Sequence, residues 1–172
     1  MVLWIMGLSA SGKTTLAQYM YAQLKPGYKN LVLVDGDMLR EINDNDLGHT
    51  LEDRRKNAHR LTRLCKQLDD QGINVICAVL SIFHESQEWN RAHIKKYFEV
   101  YIKSDIKDLI AKRDYKGIYK KAQQAQLKNV VGVDIPYPEP KSPDMVITND
   151  AGIEDLYRTA DAIIEKIKPI LA

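Results

Sequence analysis

Short apolar runs alternate with amphipathic stretches along the chain. The apolar runs predict buried strands at Val2–Met6, Leu31–Val34, Ile73–Leu80, Glu99–Ile102 and Met145–Thr148. Helical spacing of apolar residues predicts helices at Thr15–Leu24, Glu52–Gln71, Ser86–Tyr97 and Asp105–Arg113, and a terminal helix with its stripe from Ile153 to Ile167. Because most of the strands are near-continuous apolar runs, we predict an α/β fold, a mostly parallel sheet with helices on both faces.

Local sequence signals give further predictions for the long helix and for the segment that follows the helix Asp105–Arg113. Thr50 is placed to cap the long helix, with Asp53 at its third position and Gly72 just past its end. The stretch Asp114–Pro140 has no regular pattern and is rich in Lys and Gly, so it is either a floppy surface excursion or a lid. Its length favours a function, and we mark about 114–140 as a lid.

Several polar residues directly follow predicted strands. Gly7 ends the first strand, Asp35 to Asp37 follow the second, and Ser81 follows the third. Ligands of parallel α/β sheets bind at the carboxyl ends of the strands. We therefore expect these residues to meet in one crevice.

Composition and charge narrow the class. The 172 residues are 45% hydrophobic and 28% charged, which is typical of one globular domain, here residues 1–172. Lys and Arg number 25 against 23 Asp and Glu, a net charge of +2. That balance argues against a dedicated nucleic-acid or membrane-surface protein.

The chain carries no targeting or membrane signal that we recognise. The apolar start, Met1 to Met6, has no basic leader and no cleavage site. No apolar run approaches the roughly 20 residues of a membrane helix. We expect a soluble cytoplasmic protein in which Cys65 and Cys77 are reduced, buried thiols.

The segment from Gly7 to Thr14, GLSASGKT, matches the phosphate-loop pattern G-x-x-x-x-G-K-[ST] in full. Its glycines let backbone N–H groups wrap phosphates at a helix N-terminus. Lys13 would reach the β- and γ-phosphates, and the Thr14 hydroxyl would bind Mg²⁺. The predicted ATP-binding residues are Gly7, Leu8, Ser9, Ala10, Ser11, Gly12, Lys13, Thr14 and Thr15. The alternative is a glycine-rich turn that binds nothing.

Other phosphate-loop proteins fit less well. A GTPase switch needs an N-K-x-D motif to read its base, and the sequence has none. A motor or a large ATPase of the AAA type needs far more chain. A small kinase acting on a small acceptor remains.

An ordered set of motifs then carries a family resemblance. These motifs are DGDMLR from Asp35, DLGH from Asp46, EDRRKN from Glu52, RDYKGIYKKA from Arg113 and GVDIPY from Gly132. Together they resemble the adenylyl-sulfate (APS) kinase family over about Trp4 to Thr148. The resemblance implies transfer of phosphate from MgATP to the 3′-hydroxyl of adenosine 5′-phosphosulfate.

Residue chemistry agrees with an acceptor site. Asp37, at a strand end, is a candidate to accept or orient the proton of the acceptor hydroxyl, although it also suits a plain turn. Arg40 and Arg54 are planar donors suited to anionic groups, and Asn57 shares a helix face with Arg54. The alternative for Arg54 is a solvated helix surface. By resemblance, these residues hold the acceptor nucleotide.

Further roles follow from the resemblance and from charge. Six basic side chains lie within 112–128 against one acid, which favours a closing, charge-neutralising lid over a merely solvated face. Arg113 would contact ATP and Lys116 the acceptor. Leu80 and Ser81 border the acceptor, and we interpret Ser81 as a positioning hydroxyl, with a plain strand-end serine as the alternative.

The sequence departs from the family where the acceptor base would bind. Family members hold adenine between two phenylalanines, and those positions here are His49 and Val130. After Ser81 the usual proline and arginines are replaced by IFHESQEW, and the fourth phosphate-loop residue, usually Gly, is Ala10. The stretch NVVGVD from Asn129 resembles a divergent branch found with surface-polysaccharide pathways, where one activity is phosphorylation of cytidine diphosphoramidate, a precursor for capsule decoration.

Three interpretations therefore stay open. One is an APS kinase with an unusual base clamp. The second, slightly favoured, is a nucleotide 3′-kinase whose acceptor carries another base, such as cytidine. The third is a non-catalytic nucleotide-binding protein. Family members are commonly homodimers, but no stripe in this sequence identifies an interface.

Overall fold

The computed structural model describes residues 1–171, and Ala172, the last residue of the predicted domain, lies outside the described residues. Five parallel strands form one sheet in the order β2-β3-β1-β4-β5. The strands are β1 (Val2–Gly7), β2 (Leu31–Asp35), β3 (Asn74–Val79), β4 (Tyr97–Lys103) and β5 (Met145–Thr148). The prediction of an α/β fold with a parallel sheet is confirmed.

Seven α-helices connect and cover the strands in the described part of the chain. They are α1 (Lys13–Leu24), α2 (Gly36–Ile42), α3 (Leu51–Asp70), α4 (His84–His93), α5 (Ile106–Lys112), α6 (Ile118–Gln123) and α7 (Ile153–Ile167). A 3₁₀ turn follows at Lys168–Ile170. The side chains of α1 and α7 pack on one face of the sheet, and those of α3 pack on the other.

The central strands explain why the sheet is parallel and covered on both faces. Every residue of β1 and β3 is buried, so both faces of these strands need apolar partners. The cysteines follow the same rule, because Cys65 on α3 and Cys77 on β3 are both buried and free, as predicted. The carboxyl ends of β1, β2 and β3 consequently lie side by side at one edge.

Some helix boundaries can be predicted from local sequence signals and others cannot. Thr50 caps α3 by accepting a hydrogen bond from the Asp53 N–H at 3.2 Å, as predicted. The predicted helix Ser86–Tyr97 is wrong at both ends, since α4 runs from His84 to His93. It stops because Ile94 is extended and buried, and Tyr97 already pairs with Val2 as the first residue of β4.

Two short helices were not predicted from the sequence. One of them lies within the segment 114–140 and shows that part of this segment is regular. The seven-residue α2 begins directly after β2, and α6 lies within the segment itself. Tyr119, Val130 and Ile135 are buried in a shared apolar cluster, so the segment is packed against the body of the protein rather than a floppy excursion.

Candidate active site

The phosphate loop joins β1 to α1. Steric constraints explain why two of its positions are glycine. Gly12 caps α1 with φ at +101°, a backbone conformation that residues with a side chain rarely adopt. A Cβ on Gly7 would lie 2.8 Å from the carbonyl oxygen of Ile102 in β4. Residues 13–15 form the first turn of α1. The loop therefore presents backbone N–H groups at a helix N-terminus, as an anion site requires.

A residue from the far end of the chain holds this loop. Asn149, which follows β5, donates from Nδ2 to the Ser11 carbonyl at 2.9 Å. The same amide fills the space where a Cβ on Gly12 would lie. Sequence reasoning missed Asn149, although its position after a parallel strand was a usable signal.

Lys13 lies in the loop with its ammonium group folded back on the backbone. Its Nζ donates to the Leu8 carbonyl at 2.6 Å. Burial lowers the Lys13 pKa to about 8, with the nearby charges of Asp35 and Asp37 opposing the shift and that of Lys116 adding to it. The charge of Lys116 therefore acts on Lys13, although the Lys116 side chain itself is exposed.

Asp35, the last residue of β2, and Asp37, in the first turn of α2, place two carboxylates near the loop. Thr14 donates from Oγ1 to Asp35 Oδ2 at 3.2 Å, and Asp35 Oδ1 accepts the Asp37 N–H at 2.8 Å, which caps α2. The Asp37 side chain is exposed. Asp35 was expected in the crevice because of its place at a strand end, but no binding or catalytic role was predicted for it.

The donors around Thr14 suit a hard divalent cation. Within residues 1–171 no group of three or more His, Cys, Asp or Glu side chains is arranged to hold a metal ion. A magnesium ion in a kinase needs only one or two protein oxygens, because phosphates and water complete its shell. Thr14 and Asp35 supply such oxygens beside a cavity of about 580 Å³ that Asp37 also lines.

Arginines organise the other side of the site. Arg40, on α2, donates from Nη1 to the carbonyls of Leu47 and Gly48 at 3.0 and 2.8 Å. Arg54, on α3, donates from Nε to the His49 carbonyl at 3.0 Å and from Nη2 to the Asn129 carbonyl at 2.8 Å. Arg54 therefore ties together the two loops that carry the base-clamp positions, rather than lying solvated on its helix.

His49 is exposed and lies close to both arginines. Partial burial, together with the charges of Arg40 and Arg54, lowers the His49 pKa below its ordinary value, against the opposing effect of Asp37. The neutral form of the imidazole is consequently favoured. A neutral ring can stack on a base or accept a hydrogen bond from it.

Val130, the second base-clamp position, points into the protein. It is buried in an apolar cluster, which we name the bridging cluster and which comprises Leu8, Ile82, Phe83, Leu109, Tyr119, Val130, Val131 and Ile135. Asp134 accepts hydrogen bonds from the N–H groups of Asn129 and Val130 at 2.6 and 2.5 Å, fixing this turn. Sequence reasoning missed the role of Asp134, because it depends on the fold of the turn.

The remaining predicted acceptor residues come from α3 and from the segment that follows β3. Asn57 is 7% exposed, and its Oδ1 has no hydrogen-bond partner within residues 1–171. Ser81 is buried and accepts a hydrogen bond from Gln87 Nε2 at 3.2 Å, which suits a held, positioning hydroxyl. Leu80 packs partly buried against the bridging cluster. Arg113, which was predicted to bind ATP rather than the acceptor, directly follows α5 and is half-buried.

The fold and the site together define a class. A glycine-rich loop between the first strand and first helix of a parallel sheet, with carboxylates on a nearby strand end, is the arrangement of a phosphate-loop kinase. None of the helices described in residues 1–171 has a stretch long and apolar enough to cross a membrane.

Comparison with known proteins specifies the family. The family model for adenylylsulphate kinase matches residues 1–148. The chain belongs to the adenylylsulphate kinase family and is an ATP-dependent phosphotransferase. Family membership implies ATP together with a divalent metal ion.

Three relatives describe the range of the family around this chain. A cytidine diphosphoramidate kinase of Campylobacter jejuni is 43% identical over 169 residues, 96% of this chain and 95% of that protein. A probable adenylyl-sulfate kinase of Bacillus subtilis is 38% identical, covering 99% of this chain and 86% of that protein. The structure of the Mycobacterium tuberculosis APS kinase, in complex with AMPPNP and APS, matches with a TM-score of 0.85 and 31% identity over 97% of this chain and 96% of that one.

The buried ammonium of Lys13 predicts a pH dependence of ATP binding. Because the Lys13 pKa in the free protein is about 8, the lysine is charged below that pH and loses its proton above it. Bound phosphates need the charged form. We expect the Kd for ATP, measured by calorimetry, to rise about tenfold for each pH unit above 8. The variant Lys13→Arg, whose guanidinium does not titrate, is the control and should lack this rise. A Kd that stays constant to pH 10 in the wild-type protein would contradict the assignment.

Proposed function

We propose that this kinase transfers the γ-phosphoryl group of MgATP to the 3′-hydroxyl of a small 5′-modified nucleotide, and that the acceptor is a cytidine nucleotide such as cytidine diphosphoramidate. The observation that carries the choice of base is the pair of clamp positions. His49 presents one small neutral ring, and Val130 is buried in the bridging cluster and offers none. Two phenylalanines at these positions would suit adenine.

The size of the base explains why this matters. Stacking on an aromatic side chain stabilises a bound base by about 1–3 kcal/mol, and the gain grows with the overlapping area. A purine that stacks on one imidazole loses much of that area, whereas a pyrimidine loses less. The similarity to the Campylobacter jejuni cytidine diphosphoramidate kinase supports the same acceptor. By resemblance to that branch, the product would serve capsule decoration.

APS is the second candidate acceptor. The family match and the similarity to adenylyl-sulfate kinases support it. The exposed imidazole of His49 is available to stack on adenine as well. The two candidates share the reaction and differ only in the base and the 5′-group.

The chemistry assigns a role to each residue at the reacting end. The acceptor 3′-oxygen attacks the γ-phosphorus, the bond to the β–γ bridging oxygen breaks, and ADP leaves. Asp37 accepts the proton of the 3′-hydroxyl, since its carboxylate is exposed in the first turn of α2 near Lys13. Lys13 and Arg113 bind phosphates of ATP, and Lys116 binds the acceptor and neutralises charge in the transition state.

The acceptor nucleotide is held by groups that already surround its proposed position. Arg40 and Arg54 face its 5′-phosphate end with donors beyond those that bind backbone carbonyls. The unpartnered Oδ1 of Asn57 accepts a hydrogen bond from the ligand, which removes the cost of burying it alone. Ser81 positions the acceptor through its hydroxyl, held by Gln87.

We propose Mg²⁺ as the divalent ion. Thr14 and Asp35 would hold it, directly or through water, because both present oxygen to the same space. When bound, Mg²⁺ neutralises charge on the β- and γ-phosphates.

The direct test compares acceptors. We expect purified enzyme with MgATP to phosphorylate cytidine diphosphoramidate with a kcat/KM at least about tenfold above that for APS, measured by ADP release. The Lys13→Ala variant, assayed in parallel, controls for ADP released by contaminating enzymes. A higher kcat/KM for APS would overturn the cytidine assignment and establish a sulfate-activating enzyme. Transfer to neither acceptor would reject both.

Asp37 can be tested separately from the acceptor. We expect Asp37→Asn to lower kcat by about 100-fold or more, because the amide cannot take the proton. The KM for ATP should change by less than about threefold, since Asp37 does not lie in the phosphate loop. Asp44→Asn, the same change of charge just past the end of α2, is the matched control and should keep the wild-type kcat. A normal kcat for Asp37→Asn would remove Asp37 from this role.

A further inference from the structure

One hydrogen bond joins the segment 114–140 to the phosphate loop. Tyr119, on α6, is fully buried, and its hydroxyl donates to the Ser9 carbonyl oxygen at 3.0 Å. Ser9 lies in the middle of the phosphate loop. The contact therefore links the segment that carries Lys116 with the loop that holds ATP.

Packing supports this contact from the same side. Leu8, the neighbour of Ser9, is buried in the bridging cluster together with Tyr119 and Val130. A Cβ on Gly132 would lie 2.7 Å from Ile106 Cδ1 and 3.3 Å from Leu8 Cδ2, so the turn that contains Val130 runs close against Leu8. The phosphate loop and the acceptor-side turn share one apolar wall.

The hydrogen bond from Tyr119 affects the orientation of a backbone N–H group in the phosphate loop. The Ser9 carbonyl and the Ala10 N–H belong to one planar trans peptide group, so they point in opposite directions. Holding the carbonyl toward Tyr119 thus fixes where the Ala10 N–H points. Ala10 itself has φ at +62°, a left-handed conformation that is unfavourable for a residue with a side chain. Such a conformation persists only where its surroundings hold it.

We propose that Tyr119 is a positioning residue for ATP binding. Its hydroxyl fixes the Ser9–Ala10 peptide in the orientation that accepts the phosphates, and through it the affinity for ATP depends on the position of the segment 114–140. Tyr119 does not touch substrate. The inference needs only a loop that binds ATP, and it holds whichever nucleotide is the acceptor.

Tyr119→Phe tests the hydroxyl with little change in shape, and Tyr137→Phe is its matched control. Tyr137 also packs against the bridging cluster, but its hydroxyl has no hydrogen-bond partner in the part of the chain that the structure describes. The measurement is the Kd for the non-hydrolysable analogue AMPPNP by calorimetry. We expect Tyr119→Phe to weaken binding about fivefold, the range of one net hydrogen bond, and Tyr137→Phe to change it less than twofold.

The design separates positioning from a merely structural role. The Kd is obtained per folded binding site, so a loss of folded protein lowers the stoichiometry and leaves the affinity unaltered. In steady-state assays the KM for ATP should rise about as much as the Kd, with the KM for the acceptor within twofold of the wild-type value. An unchanged Kd in Tyr119→Phe overturns the proposal. Equal losses in both variants overturn it too, because packing of the rings would then account for the effect.

Discussion

The tight turn of the phosphate loop is the constraint on which the rest of the site depends. It leaves no room for side chains at Gly7 and Gly12, and it buries the ammonium of Lys13. Inside the loop, the Ser11 N–H donates to the Leu8 carbonyl at 3.2 Å, but an N–H group that binds a ligand does not hold the loop itself. Distant elements therefore hold it, and each of them contributes one contact.

These contacts come from three directions. Asp35 of β2 bonds Thr14, Asn149 after β5 bonds the Ser11 carbonyl, and α6 bonds the Ser9 carbonyl. A parallel sheet makes this possible, since the carboxyl ends of its strands all lie at one edge. The fold thus serves to bring separate chain segments to a single loop.

The acceptor side follows a different rule. Here one guanidinium, that of Arg54, spans two loops by bonding the carbonyls of His49 and Asn129. The framework of the base site is built from backbone contacts, so the side chains at His49 and Val130 can differ without loss of that framework. A family that keeps its phosphate chemistry can change its acceptor base in this way.

Features formed by residues close together in the sequence could be predicted, and contacts between residues far apart in the sequence could not. The phosphate loop and the Thr50 cap are contiguous patterns, so GLSASGKT and the spacing from Thr50 to Asp53 were sufficient. The hydrogen bonds that hold the loops join residues far apart in the sequence. Asn149 and Ser11 are 138 positions apart, and Arg54 and Asn129 are 75 positions apart. The periodicity of apolar residues carries no information about such pairs.

The predicted helix boundaries were wrong for a related reason. The end of α4 is decided by the burial of Ile94 and by strand pairing at Tyr97, which are tertiary effects. The short α2 depends on the Asp35 cap and on one buried side chain, Leu39, which is too little for a helical pattern.

In the proposed enzyme, Asp37 lies between the phosphate loop and a changed base site around His49. A crystal structure of the enzyme with AMPPNP and a cytidine 5′-diphosphate acceptor tests it most directly, through the distance from the Asp37 carboxylate to the acceptor 3′-oxygen. We expect a hydrogen bond of about 2.6–3.2 Å between these two groups, with the base beside His49. A 3′-oxygen outside hydrogen-bond reach of Asp37, or a base bound away from His49, would contradict it.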